Sequence, residues 1–286
     1  MNGSDEEIRI RKISELHGLA VRSTQRLSGG SINAVYKLDT ANKSLVIKIN
    51  DSHRFPGMFS AEKEGLETLG SSGAILVPEV IAHGALEGAG YLILGYIEEG
   101  SPGKDFWSRF GRNLASLHRV SAPSFGFPHS NYIGSLPQYN SWSDHAGEFY
   151  LEQRLKPQFQ LAVKNGFDFG DLDAFFKRVL QEIPDEAPAL IHGDLWSGNY
   201  LVDVEGQPWL IDPAVSFGPR EMDLAMMQLF GGFPDEVFKE YDRSYPLQKG
   251  FLSRVPLWQL YYLLVHLNIF GSTYLPGVKE KITQFS

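Results

Sequence analysis

Residues 190–212 read LIHGDLWSGNYLVDVEGQPWLID, the stretch on which the reading of this chain turns. Leu190-Ile191 and Trp209-Leu210-Ile211 are short apolar runs of strand character, with the polar segment from His192 to Gln207 between them. The unit places Asp194, Asn199 and Asp212 five and then thirteen residues apart. Any one of them alone would more often shape a turn. Together they supply what phosphoryl transfer asks of a protein, which is positioning and charge neutralisation rather than covalent work. A carboxylate such as Asp194 can orient and deprotonate an attacking hydroxyl. An amide oxygen at Asn199 and a carboxylate at Asp212 are hard donors of the kind Mg²⁺ prefers, and an amide at 199 adds no third anion beside the phosphates.

Working outward towards the N-terminus, Glu6 to Leu19 predicts a helix, and Ser28-Gly29-Gly30-Ser31-Ile32-Asn33 a glycine turn. Ala34 to Leu38 and Leu45 to Ile49 flank the turn cluster Asp39-Thr40-Ala41-Asn42 and predict an antiparallel hairpin. Pro56-Gly57 breaks the chain before a helix from Phe59 to Leu69, and Tyr91 to Ile97 predicts a buried strand. The run Glu98-Glu99-Gly100-Ser101-Pro102-Gly103 is the most linker-like segment, which places an N-terminal lobe over 1–95 and a larger C-terminal lobe over 96–286. Beyond it, Phe106, Phe110, Leu114 and Leu117 share one face of a helix ending near His118, whereas 120–147 holds no clear period. Val255 to Phe270 predicts a helix apolar nearly all round and so buried, with Pro256 near its first turn. It is shorter than the ~18–20 residues of a membrane span and is interrupted by Gln259, His266 and Asn268. No internal repeat is present.

Composition narrows the classes of function. Hydrophobic residues make up 43% and charged residues 21%, as in an ordinary globular chain. The absence of cysteine excludes disulfides, thiolate metal sites, cysteine nucleophiles and thiol switches, and it favours a cytoplasmic location. The first residues carry early acids and no apolar core, unlike a signal peptide. A net charge of −8 argues against a nucleic-acid surface, so phosphates would have to be met by local cations. No HExxH pair and no G-x-S-x-G elbow supports a metalloprotease or hydrolase.

His192-Gly193-Asp194, then Asn199, then Asp212 resemble the catalytic loop and metal-binding motif of the protein-kinase-like superfamily. The loop reads HGD rather than HRD and the later motif Asp212-Pro213-Ala214 rather than DFG, which points to the aminoglycoside-phosphotransferase-like branch. Closer still, HGDLWSGN (192–199), IDPAVSFGPREMDLAM (211–226) and LFGGF (229–233) resemble the fructosamine kinase, or ketosamine kinase, family. The likeness runs through GGSINAVYKL (29–38), LVIKIN (45–50), VPEVI (77–81), LASLH (114–118) and PQYNSWSDHAGEFYLEQRLKPQ (137–158).

The resemblance implies an α+β, two-lobed protein-kinase-like fold with a small β-rich N-lobe and a larger, mainly helical C-lobe. It implies ATP and Mg²⁺, and transfer to the sugar 3-hydroxyl of a ketosamine, free or borne on a glycated protein side chain. By resemblance Asp194 is the base, and Asn199 and Asp212 hold the metal. Lys48 meets the α/β-phosphates and is positioned by Glu62 rather than by Glu64. Gly29, Gly30 and Ser31 cover phosphate through main-chain N–H groups, and Gly95, Tyr96 and Ile97 offer main-chain groups to adenine. His192 braces the catalytic loop, and Asp223 anchors that loop or its helix. On the acceptor side, Trp196 is the expected wall for the sugar. Asn140 and Trp142, with Phe149, form a cluster that either lines the same cleft or packs helices. Two competing readings are a phosphotransferase for aminoglycosides or other small amines and amino sugars, and a nucleotide-holding pseudokinase. The latter is disfavoured because Lys48, Asp194, Asn199 and Asp212 are all present.

Overall fold

A computed structural model describes residues 3–27 and 32–285. Helix α1 (Gly3–Leu16) leads into strands β1 (Val21–Arg26), β2 (Ala34–Thr40) and β3 (Ser44–Asp51), helix α2 (Met58–Ser71), and strands β4 (Val80–Leu86) and β5 (Ala89–Gly95). The five strands form one antiparallel sheet in the order β1-β2-β3-β5-β4. Side chains alternate across a strand, so β3 serves two layers at once. Leu45, Ile47 and Ile49 pack under α1 with Ile10, Ile13, Tyr36 and Ile93. Val46 faces the other way with Leu92 and Leu94, onto Phe59 and Leu66 of α2. That second face also carries Lys48, which is how an ammonium comes to lie between a sheet and a helix.

After β5 the chain enters α3 (Phe106–Leu117), the hairpin β6 (Asn131–Ile133) and β7 (Leu136–Gln138), and α4 (Ala146–Tyr150), which runs through a π turn at Leu151–Leu155 into α5 (Lys156–Lys164). Next come α6 (Asp173–Glu182), strands β8 (Ala189–Ile191), β9 (Tyr200–Val202), β10 (Pro208–Leu210) and β11 (Ser216–Gly218), and α7 (Glu221–Leu229). The chain closes with α8 (Asp235–Ser244), α9 (Phe251–Phe270), a short 3₁₀ turn and α10 (Leu275–Gln284). As expected, α9 is the spine of the C-lobe core, with Leu257, Trp258, Leu260, Tyr261, Tyr262 and Leu264 all buried. No helix among the described residues is long and apolar enough to cross a membrane.

Several local expectations change. Pro256 lies inside α9 rather than near its first turn, because the helix starts at Phe251. The i−4 carbonyl it leaves without a donor is that of Leu252, a residue 77% exposed, so water can take the missing partner's place. The two apolar runs flanking the 192–207 segment do not pair with each other. Instead β8 pairs with β11, and β10 with β9, so the segment carrying Asp194 and Asn199 is strung between two small ribbons. The aperiodic stretch 120–147 contains the β6–β7 hairpin, whose turn at Gly134 has a φ of 57°. A side chain at that position would also strike Ile269 of α9, 2.9 Å from where its Cβ would stand. The hairpin reaches the small lobe as well, since Tyr132 Oη donates to the Pro56 carbonyl at 2.8 Å.

Candidate active site

The loop that carries Asp194 is shaped chiefly by its own main chain and by one buried carboxylate. Asp223, on the first turn of α7, accepts the His192 N–H at 2.7 Å and the Gly193 N–H at 2.8 Å, and receives His118 Nε2 at 3.2 Å. Burial works to raise its pKa, but these donors and the nearby histidines hold it below the ordinary value. The anchoring role expected of Asp223 is therefore carried by three hydrogen bonds. Helix α7 is pinned in turn to the core, because Glu221 takes Arg254 Nε and Nη2 at 2.8 and 2.5 Å and Trp258 Nε1 at 2.7 Å.

His192 braces the loop in the way expected of it. Its Nε2 faces the Ile211 carbonyl at 2.9 Å and must donate, while Nδ1 accepts the Asp194 N–H at 3.3 Å. Burial lowers its pKa, which suits this neutral tautomer. Gly193 explains why the motif reads HGD. Its φ is 83°, and a Cβ would lie 2.1 Å from the Ala214 carbonyl oxygen, where the segment after Asp212 hydrogen-bonds back through Ala214 N–H to the His192 carbonyl at 2.9 Å. The segments carrying Asp194 and Asp212 touch here, and only glycine fits between them.

Asn199 donates through Nδ2 to the Asp194 carbonyl at 2.8 Å and to its carboxylate at 3.2 Å. With the amide nitrogen committed, the amide oxygen remains an acceptor. Burial, and secondarily the charge of Asp212, push the Asp194 carboxyl up to about 7, with the Asn199 amide partly offsetting them. Asp212 has a φ of 56°, in the left-handed region that Asp tolerates better than most residues. Lys48 joins this group from the sheet. Its ammonium lies 2.5 Å from Glu62 Oε1 and is hydrogen-bonded to Asp212 Oδ1. Burial alone would lower the Lys48 pKa, but the two carboxylates outweigh it and raise it. Glu64 points elsewhere, to His129 at 3.9 Å.

These residues share one cleft of about 560 Å³. Towards β5 its walls are apolar, with Val46, Leu94, Leu201 and Ile211 among them, beside Gly95, Tyr96 and Ile97. Gly95 N–H is bonded to the Glu79 carbonyl and Tyr96 N–H to that of Ser44. The free main-chain donor of this segment is thus Ile97 N–H, which has no partner among the described residues. The same cleft is lined by Lys48, Asp194, Asn199 and Asp212, and by Trp196, Tyr132, His266 and Phe270. Gly29, Gly30 and Ser31 lie outside the described residues. No group of three or more His, Asp or Glu among the described residues could cage a metal on its own. One amide oxygen and one carboxylate lining the same cleft nevertheless fit Mg²⁺, which takes one or two protein oxygens and completes its shell from phosphates and water.

Two expected substrate residues are not brought to the cleft. Asn140 is 2% exposed and fully committed inside the C-lobe. Its Nδ2 donates to the His129 carbonyl and to Asn131 Oδ1, and its Oδ1 accepts from Arg154 Nη2 at 2.8 Å. Trp142 is exposed and lies over Gly126, whose Cβ would stand 2.8 Å from the indole, while Phe149 stacks on Phe125 in the core. Asn140 and Phe149 thus lie inside the C-lobe and Trp142 on its surface.

Asn140 belongs to a network that sequence reasoning missed. Asn131 Nδ2 holds the Val215 carbonyl at 2.8 Å, and Gln138 Nε2 holds the Ala214 carbonyl at 3.0 Å and Asn131 Oδ1 at 2.8 Å. Tyr261 donates to Gln138 Oε1 at 2.7 Å. Buried amides thereby fix the carbonyls two and three residues beyond Asp212. The only sequence signal for this was the density of amides in an aperiodic stretch.

The fructosamine kinase family profile matches residues 6–286. Among curated relatives, a "Probable ketoamine kinase" of Synechocystis is 38% identical over 96% of this chain and 94% of its own length. Another, of Enterococcus faecium, is 39% identical over 90% of this chain and 93% of its own. A crystal structure from Thermobifida fusca bearing the name fructosamine-3-kinase superposes with a TM-score of 0.85 at 34% identity, covering 96% of each chain. The aminoglycoside phosphotransferase APH(4)-Ia shares the fold, with a TM-score of 0.61 at 17% identity over 95% of both chains.

Proposed function

This chain belongs to the fructosamine kinase family, and from that premise we propose that it transfers the γ-phosphoryl group of ATP to a sugar hydroxyl, the 3-hydroxyl, of a ketosamine. The observation that carries the reading is the convergence of Lys48, Asp194, Asn199 and Asp212 in a single cleft with an apolar slot at one end and an aromatic wall at the other. The nucleotide takes the slot, with adenine between Val46 and Ile211 and the Ile97 N–H as its main-chain donor. Lys48, held by Glu62, meets the phosphates as a point charge. Asn199 and Asp212 would hold Mg²⁺, which when bound neutralises charge on the phosphates.

Asp194 orients the acceptor hydroxyl and takes its proton as the new oxygen–phosphorus bond forms. The bond from the γ-phosphorus to the bridging oxygen breaks, and its electron pair leaves with ADP. Trp196, 39% exposed beside the base, offers an apolar face to the sugar's C–H edge. The substrate is then a small-molecule ketosamine or a glycated protein side chain, with neither nucleic acid nor membrane as partner. The test is mass-spectrometric detection of phosphate transfer to synthetic fructosamines and ribulosamines, with aminoglycosides in parallel. Transfer to the sugar amines is expected. Transfer to aminoglycosides alone would replace this reading with the other phosphotransferase, and ATP binding without transfer to any acceptor would favour a pseudokinase.

A further inference from the structure

Tyr262, Val265, His266, Ile269 and Phe270 recur three and four residues apart on α9, so they form one face, and that face lines the cleft. It contributes aromatic and aliphatic groups and no carboxylate. His266 is the polar exception. Its Nδ1 lies 2.8 Å from the Tyr262 carbonyl one turn back, and since a carbonyl only accepts, Nδ1 carries the proton. Nε2 has no partner among the described residues. The ring is packed by Phe230, Tyr274 and Phe270, with centroids at 4.8, 5.1 and 5.5 Å. Burial holds its pKa below the ordinary histidine value, so Nε2 keeps its lone pair. A neutral acceptor beside aromatic faces is a suitable receiver for an organic ammonium, which donates N–H and is attracted by ring faces.

We propose that this face of α9 is the subsite for the amine end of the acceptor: His266 Nε2 accepts the N–H of its secondary ammonium, and Phe270 and Ile269 take the organic substituent on nitrogen. The proposal rests on the reading of the acceptor as a sugar amine and adds what selects it. It also gives a reason for discrimination against polycationic amino sugars, whose additional ammonium groups would find no carboxylate on this face.

The test assays wild type, His266→Leu, His266→Gln and Phe270→Ala with ATP against fructose adducts of propylamine and benzylamine. A fructose propyl ether, in which oxygen replaces the NH, and a short peptide bearing one fructosylated lysine complete the panel. Wild type is expected to prefer the amine to the ether. His266→Leu is expected to raise KM for the amine adducts about 10–100-fold, the scale of one hydrogen bond to a charged group, while leaving KM for the ether and for ATP unchanged. His266→Gln, whose amide oxygen accepts, should recover part of that loss. Phe270 is half exposed and its replacement spares the core, so Phe270→Ala should weaken the benzylamine adduct more than the propylamine adduct. The same His266→Leu loss on the peptide assigns chain-borne ketosamines to the subsite, and a loss confined to the free adducts restricts it to small molecules. An amine-to-ether preference that survives His266→Leu would overturn the proposal while leaving the kinase reading standing. Absence of turnover on every sugar amine by wild type would instead remove the kinase reading, and the subsite with it.

Discussion

The two sides of the cleft are built by different means. On the small-lobe side, Lys48 and Glu62 stand on a regular strand and a regular helix, and one ion pair of 2.5 Å joins them. On the large-lobe side, Asp194, Asn199 and Asp212 stand on irregular segments held by buried polar groups from far along the chain. Asp223 comes from α7, Asn131 and Gln138 from the β6–β7 hairpin, and His118 from the end of α3. Regular elements place a side chain by their own period. Loops have no period to do this, so their geometry is imposed by partners that satisfy each buried N–H and carbonyl. The first design places its groups with few residues, and the second relies on many, of which His118, Gln138 and Asp223 do not line the cleft.

Mutations on the two sides should therefore have effects of different size. The largest effect is expected from Asp194→Asn, which should lower turnover by ~10²–10⁴-fold, the range for a lost general base, with ATP affinity nearly unchanged. It should not lower the melting temperature, because it removes a buried, poorly compensated charge; turnover within a few-fold of wild type would dissolve the assignment. Next, Asp223→Ala strands two main-chain donors and His118, and should cost ~3–5 kcal/mol in a denaturant titration together with most of the activity. A stable, inactive Asp223→Ala would mean that the carboxylate acts on the reaction rather than on the loop. Asn131→Ala should cost ~1–3 kcal/mol, the penalty for buried polar groups left without a partner, and should raise the Mg²⁺ concentration needed for half-maximal turnover. An unchanged Mg²⁺ requirement would sever the amide network from Asp212. Smallest of all, Trp142→Ala should change stability by less than ~0.5 kcal/mol, as exposed positions usually do, and leave acceptor KM alone. Trp196→Ala in the same assay should weaken the acceptor and not ATP, and equal behaviour of the two tryptophans would erase the distinction between cleft and surface.

The same contrast explains what the sequence discloses. LVIKIN and MFSAEKEGL carry alternation and helical spacing, so β3, α2 and the Lys48–Glu62 pair can be read locally. Phe106, Phe110, Leu114 and Leu117 announce α3 for the same reason, and all four are buried. Strand β1, VRSTQR, escapes because it is an exposed, polar edge strand with one apolar residue, and β4 because its residues are neither clearly buried nor clearly alternating. The three-residue strands β9 and β11 are too short for any period to declare itself. At the site, spacing alone brings Asp194, Asn199 and Asp212 together, but nothing local separates Trp196 from Trp142 or marks Asn140 as part of the scaffold. Those distinctions depend on which residues meet across 14 positions, as Asn140 and Arg154 do, or across 84, as Asn131 and Val215 do.

The β6–β7 hairpin touches three parts of the molecule at once. Tyr132 is bonded to Pro56 just ahead of α2, and Gly134 is wedged against Ile269 and lies near Ile32. Any rotation of the small lobe against the large one would therefore have to break the Tyr132 bond or carry the hairpin with it. Ligands bound on the two sides of the hairpin would then be coupled through it, each changing the other's affinity by the same factor.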